Sequence, residues 1–310
     1  MHRRHLLAAA AIPALAGLTA CGGGDGDPTI TDRLSAEADY STLFAALGAA
    51  GLTGTLSGPG PFTLFAPTNA AFNAVLTELG LTLSALLANT TLLTSVLTTH
   101  VLPARVLAAD VPNGRAVTTV QGGIVKPERP AAGGVTIQDG RNRVARVTAT
   151  DSLCSNGVIH RIDRVLLPAN RNIVETAVAS APEFSILVAA VTAAGLGSTL
   201  SGPGPFTVFA PTNAAFAALL TELNTTQAAL LANVPLLTAV LTYHVVSGRV
   251  LKADVPVGTD ITTVQTGRFR VDSNLVITDA RARTSRITAT DVLCTNGVIH
   301  VIDRVILPPA

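Results

Sequence analysis

Tryptophan is missing from this 310-residue chain, while methionine occurs once, tyrosine twice and cysteine three times. Without Trp, a carbohydrate site built on a stacked indole is excluded, so any glycan contact must be polar. Charge is scarce as well: 13% of residues, with 21 Lys and Arg against 20 Asp and Glu. Such a balance gives no general attraction to DNA, RNA or anionic lipid, which removes nucleic acid as a partner class. Three cysteines make no disulfide scaffold. Cys-x-x-Cys, His-Glu-x-x-His and Gly-x-Ser-x-Gly spacings are all absent, so neither a metal site, a cofactor nor an enzymatic activity is expected. No apolar run is long enough to span a bilayer comfortably; Leu6 to Leu18 is short and interrupted by Pro13.

What the chain does contain, it contains twice. Residues 55–72 read TLSGPGPFTLFAPTNAAF and residues 199–216 read TLSGPGPFTVFAPTNAAF, differing only at Leu64 against Val208. NGVIHRIDRVLLP at 156–168 returns as NGVIHVIDRVILP at 296–308, with eleven of 13 positions shared. The offset falls from 144 to 140 residues between the two segments, so the second copy is four residues shorter. A duplicated unit of about 140 residues is a normal domain size.

Local chemistry predicts the elements of each unit. Gly58-Pro59-Gly60-Pro61 continues neither a helix nor a central strand and reads as a tight surface loop. Phe62 to Phe65 suits a short buried strand, stopped by Pro67. Thr68 or Asn69 caps the next helix, whose apolar face is Ala71, Phe72, Val75, Leu76 and Leu79. An earlier helix carries Leu43, Phe44 and Leu47, with Asp39 as its expected cap and Gly51 at its end. A Leu-rich helical region is expected from Ser84 to about Thr99. From about Val117 short β-branched runs take over. A protruding loop is expected around Lys126 to Gly134, where the copies differ in length.

FTLFAPTNAAF followed by NGVIHRIDRVLLP resembles the two signature segments of the fasciclin domain, and both halves carry both. The resemblance implies an α+β fold of two tandem fasciclin-like domains, each a β-sandwich-like core with helices packed on one side. The expected boundaries are 30–168 and 173–310, joined by a linker at 169–172 that leaves limited interdomain motion. The family is mostly extracellular, is associated with cell adhesion and matrix binding, and has no general enzymatic activity.

Residues 1–21 read as a targeting segment. His2-Arg3-Arg4-His5 is a basic start, and Leu18-Thr19-Ala20-Cys21 resembles a lipoprotein box. That resemblance implies cleavage before Cys21 and acylation of it; ordinary secretion with cleavage nearby is the alternative. Removing 1–21 takes away Arg3 and Arg4, leaving 19 basic against 20 acidic residues, a net charge of −1. Residues 22–29 are then a flexible Gly-rich tether. Gly22 resembles an outer-membrane sorting signal. The protein is expected outside the cytoplasm, lipid-anchored at the outer membrane or cell surface, or facing the periplasm.

Candidate binding residues follow from the repeats. Tyr243-His244 resembles a family segment associated with adhesion; its counterpart is Thr99-His100, so the first copy keeps only the histidine. His100 and His244 have two readings, buried residues that satisfy backbone groups or binding residues. Asp151 with His160, and Asp291 with His300, have the composition of acid–base pairs, but each His lies in an apolar β run, which favours a structural role. Cys154 and Cys294 read as shielded free thiols. Arg141 and Arg143 match Arg281 and Arg283; spaced by two, each pair would share a face of a strand. Such a strip is either a solvated face or a site for acidic polysaccharide. The expected function is adhesion or interaction with extracellular matrix, envelope polysaccharide or a surface protein. The alternative is a periplasm-facing structural or acidic-glycan-binding lipoprotein.

Overall fold

The computed structural model describes residues 27–309. Cys21 and the tether residues through Gly26 lie outside them. The first unit begins with α1 (Ile30–Ala36), α2 (Ser41–Ala49) and α3 (Thr53–Ser57), then β1 (Phe62–Pro67). Next come α4 (Asn69–Leu79), α5 (Leu83–Ala88) and α6 (Thr90–Thr99). Six strands complete it: β2 (Val101–Leu102), β3 (Val117–Thr118), β4 (Ile124–Glu128), β5 (Thr136–Gln138), β6 (Val144–Cys154) and β7 (Gly157–Ile162). The second unit repeats the order with α7 (Ile173–Ala179), α8 (Ser185–Ala193), α9 (Gly197–Ser201), β8 (Phe206–Pro211), α10 (Asn213–Glu222), α11 (Gln227–Ala232) and α12 (Val234–Tyr243). Its remaining strands are β9 (Val245–Ser247), β10 (Asp260–Thr262), β11 (Arg268–Val271), β12 (Val276–Thr278), β13 (Thr284–Cys294) and β14 (Gly297–Ile302).

Each unit holds one seven-stranded sheet, ordered β2-β1-β7-β6-β5-β4-β3 in the first and β10-β11-β12-β13-β14-β8-β9 in the second. The two duplicated segments lie side by side at the heart of it. β1 runs parallel to β7, in register from Phe62 opposite Gly157 to Pro67 opposite Ile162. A strand flanked on both edges and covered on both faces needs no polar side, and β1 is buried from Thr63 to Pro67. One face of the sheet packs on the helices through Leu64, Phe72, Leu43, Leu93 and Ile159. On the other, Phe65, Leu102, Val125, Ile137, Ala145 and Ile162 meet although they come from six different strands, so the sheet curls around them.

The local predictions hold with two corrections, and one helical region divides. Thr68 caps α4, accepting the N–H of Ala71, and Asn69 is turned elsewhere. Its Oδ1 accepts the N–H of Thr42 and its Nδ2 donates to Ala38 O. Asn69 therefore satisfies the start of α2, the role expected of Asp39, which instead sits in a single 3₁₀ turn over Ala38–Tyr40. The Leu-rich helical region holds two helices, because Asn89 leaves helical geometry and caps α6 through the N–H of Leu92. The loop expected from Lys126 is shorter: Lys126, Pro127 and Glu128 belong to β4 and pair with Gln138, Ile137 and Thr136 of β5.

The second unit's β11 pairs with β12 in the same way, from Arg270 opposite Thr278 to Val271 opposite Ile277, and in the first unit this stretch also meets the neighbouring unit. Lys126 Nζ donates to Asp291 Oδ2 at 2.8 Å, with side chains 5% and 2% exposed. Glu128 accepts from the same ammonium. Gln138 Nε2 donates to Asp291 O. Asn142 grips both backbone groups of Leu293, accepting its N–H and donating to its carbonyl. Ile124 packs on Leu251, Leu293 and Val298. Burial pulls the Lys126 ammonium down, yet the bonds to Asp291 and Glu128 outweigh it and hold it above the usual lysine value. Removing one partner of a buried ion pair leaves an uncompensated charge, at a cost of about 3–5 kcal/mol. Lys126→Ala is therefore expected to lose about 3 kcal/mol in urea unfolding, and Lys126→Met with Asp291→Asn to recover much of it. A single variant as stable as the parent would contradict the buried-pair account.

Candidate interaction surface

His100 and His244 end α6 and α12, where helix carbonyls lack partners. Both rings are buried, 0% and 2% exposed. Nε2 of His100 accepts the N–H of Leu166 at 2.9 Å, which leaves Nδ1 to donate to Val96 O at 2.8 Å. His244 repeats this with Ile306 and Val240. Each ring thus joins a helix end to the chain leaving the last strand. Burial lowers both histidines to about 4. Tyr243, beside His244, is fully buried. Its hydroxyl donates to Arg268 O and accepts the N–H of Ala280, and burial pushes it up to about 12. Thr99 stands in its place in the first unit and bonds Ser95 O.

The Asp–His pairs are equally committed. Nδ1 of His160 and His300 accepts the N–H of Asp151 and Asp291, and Nε2 donates to Val106 O and Val250 O. Asp291 Oδ1 accepts the N–H of Lys252 and Asp151 Oδ1 that of Ala108. Neither ring nitrogen remains for acid–base work. Cys154 and Cys294 are buried free thiols, both pushed up by burial. Among the described residues no group of three or more His, Cys, Asp or Glu is placed to hold a metal.

The arginines lie differently from the strand spacing. Arg141 and Arg143 occupy the turn before β6, with Asn142 between them in the left-handed region at φ 64°. Asp139 makes the turn: its Oδ1 accepts the N–H of both arginines. The paired side chains therefore do not share a strand face. Arg143 bonds Asp139 and Glu78, and Arg283 bonds Glu222 and Val305 O. Arg281 donates through Nε to Pro308 O, and the residue is exposed. Nε of Arg141 is buried with no partner, as is Nε of Arg249. Arg249 is the counterpart of Arg105, 144 positions earlier, and along the chain it carries no signal beyond the repeat.

A histidine held neutral in the fold and titrating near 6.5 when unfolded stabilises the protein fully above that value. The contribution fades as pH falls toward 4, because the unfolded chain then binds the extra proton. The loss amounts to on the order of 3 kcal/mol for each histidine once pH 4 is reached. The urea midpoint should thus fall steadily between pH 7 and pH 4.5, and His244→Gln should flatten the slope while lowering stability at pH 7. A midpoint that does not move over this window would refute the assignment.

Known proteins place this architecture. Residues 38–168 and 182–308 each match the family described as the fasciclin domain. Transforming growth factor-beta-induced protein ig-h3 of Sus scrofa is 30% identical over 283 residues, covering 86% of this chain and 40% of that protein. Human periostin is 28% identical over 257 residues, 82% of this chain and 29% of its own length. The chain thus spans well under half of these relatives. Immunogenic protein MPT70 of Mycobacterium tuberculosis is 32% identical over 195 residues, 58% of this chain and 86% of that protein. A solved domain pair from the insect cell adhesion molecule fasciclin I covers 86% of this chain and 95% of its own, at 19% identity and a TM-score of 0.44. Fasciclin domains are non-enzymatic. This chain belongs to the fasciclin domain family and carries two such domains in tandem.

Proposed function

We propose that the protein is a non-enzymatic interaction protein of the cell envelope, held by a lipid on Cys21, whose two domains bind matrix, envelope polymer or a surface protein. The observation that carries this reading is the double fasciclin match, in a chain whose buried His and Asp side chains are spent on backbone groups. Two linked modules gain avidity where both engage. In this reading Tyr243, His244 and His100 contribute to binding through the loop shapes they hold. Among the described residues no helix is long and apolar enough to cross a membrane, and the lipoprotein-like stretch ending at Cys21 supplies the anchor.

A second reading, attachment to acidic glycan, is favoured by exposed Arg281. Arg283 lies two residues away and is tied to Glu222, while Arg141 and Arg143 hold the equivalent turn of the first domain. Arg281→Ser with Arg283→Ser should then weaken binding to an acidic polysaccharide at least fivefold; unchanged binding removes this reading.

Two measurements test the main proposal. Radiolabelled palmitate should enter the parent protein and not Cys21→Ser; equal labelling sinks the anchor. Protease added to intact cells should digest both domains, as it does after lysis. Protection on intact cells would confine the protein to the periplasm and end the case for adhesion to other cells.

A further inference from the structure

The two copies differ at one place that matters for space. In the second domain the Tyr243 ring packs edge-on against Phe269, with centroids 6.1 Å apart. It also lies so close to Gly267 that a Cβ there would come within 2.9 Å of the ring. The phenol is anchored by Arg268 O and the N–H of Ala280. In the first domain the equivalent positions are Gly123, the Ile124 carbonyl and Gly140, whose N–H is given to Leu167 O, and Thr99 stands where Tyr243 does. The Thr99 hydroxyl turns back along its own helix to Ser95 O. The space is left as a cleft of about 330 Å³ bordered by Thr99, Gln121, Gly123, Ile124 and Gly140. That volume is in the ~300–1,000 Å³ range of small-molecule sites.

The opposite wall belongs to the second domain. Arg249, Leu293 and Thr295 face the cleft. Arg105, the equivalent of Arg249, gives its guanidinium to the carbonyls of Cys154 and Gly157. Arg249 makes no such bonds, and its Nε is buried without a partner. A buried, unpaired guanidinium donor is costly unless an acceptor reaches it, and its planar fork matches a carboxylate. One side of the cleft is therefore the counterpart of a slot that a hydroxylated ring fills elsewhere in the same chain. The other side offers a cation without an anion.

We propose that the cleft between the domains binds a small carboxylate carried on a hydroxylated six-membered ring, the hydroxyl donating to the Ile124 carbonyl and the carboxylate accepting from Arg249. Thr118 and Ile124 lie opposite each other next to the bond from Thr119 N–H to Gly123 O, so antiparallel alternation turns the Ile124 carbonyl away from β3, as the Arg268 carbonyl is turned toward Tyr243. Phenolic acids and uronic acids, free or ending a polysaccharide, both carry this chemistry. The site is separate from the Arg281 surface, and either can fail without the other.

Calorimetric titration of the full chain with 4-hydroxybenzoate and with glucuronate tests the proposal. One of them is expected to bind saturably at one site per chain, and which one identifies the source as aryl or sugar acid. Thr99→Tyr places in the first domain the side chain that the second already accommodates; it should abolish binding while the melting temperature holds or rises. Arg249→Met should weaken binding at least tenfold, and it carries the test alone if Thr99→Tyr melts early. Failure of both probes to bind, or binding that survives in Arg249→Met, overturns the proposal.

Discussion

The parallel pairing of β1 with β7 is the constraint on which each domain depends. It joins residues nearly a hundred apart in sequence, and it brings two backbones so close that side chains cannot intervene. A Cβ on Gly157 would lie 2.2 Å from Phe62 O, and one on Gly60 would lie 2.0 Å from Asn156 O. Asn156 locks the junction with all of its amide: its Oδ1 accepts the N–H of Ile30, and its Nδ2 donates to Leu56 O and Gly58 O. Asn296 repeats the set with Ile173, Leu200 and Gly202. One side chain thus ties the first helix, the Gly-Pro loop and the central strands. The helical layer and the curled half of the sheet both build outward from that seam.

Joining two such domains is a different problem, solved asymmetrically. Strands β4 and β5 and the turn after them present Ile124, Lys126, Gln138 and Asn142 to the bulged strand β13 of the second domain. Leu293 becomes 3% exposed there, while its counterpart Leu153 stays 49% exposed. The same leucine therefore has two fates within one chain, decided by what sits beside it. A buried lysine with a buried aspartate contributes little net stability against an apolar contact of equal shape, but a misplaced partner is penalised heavily.

Legibility followed the range of the interactions. The strand ending at Pro67, the helix capped at Thr68 and the apolar face of Ala71, Phe72, Val75 and Leu76 rest on neighbours within a few residues, and they could be read along the chain. Asn69 and Asn89 could not be assigned, since Asn caps, bends or clamps according to which N–H is near. The arginine spacing misled for a related reason: Asp139 pulls two backbone N–H groups onto one oxygen and makes a turn where alternation suggested a strand. Lys126 resembled a loop residue because a charged side chain is ordinarily exposed, and its partner is 165 positions away.

By itself the sequence determined that the chain is a duplicated fasciclin pair with apolar cores, a nearly balanced and sparse charge, and none of the metal or nucleophile motif spacings. Those properties reside in composition and in local patterns that every fold of the chain must honour. Tertiary structure alone decided that His100 and His244 are neutral struts, that Lys126 is an interdomain bolt, and that Thr99 opens a cleft facing Arg249. Each of these depends on burial and on a partner brought from a distant part of the chain. Desolvation and hydrogen-bond geometry are set by three-dimensional neighbours, which no linear spacing records.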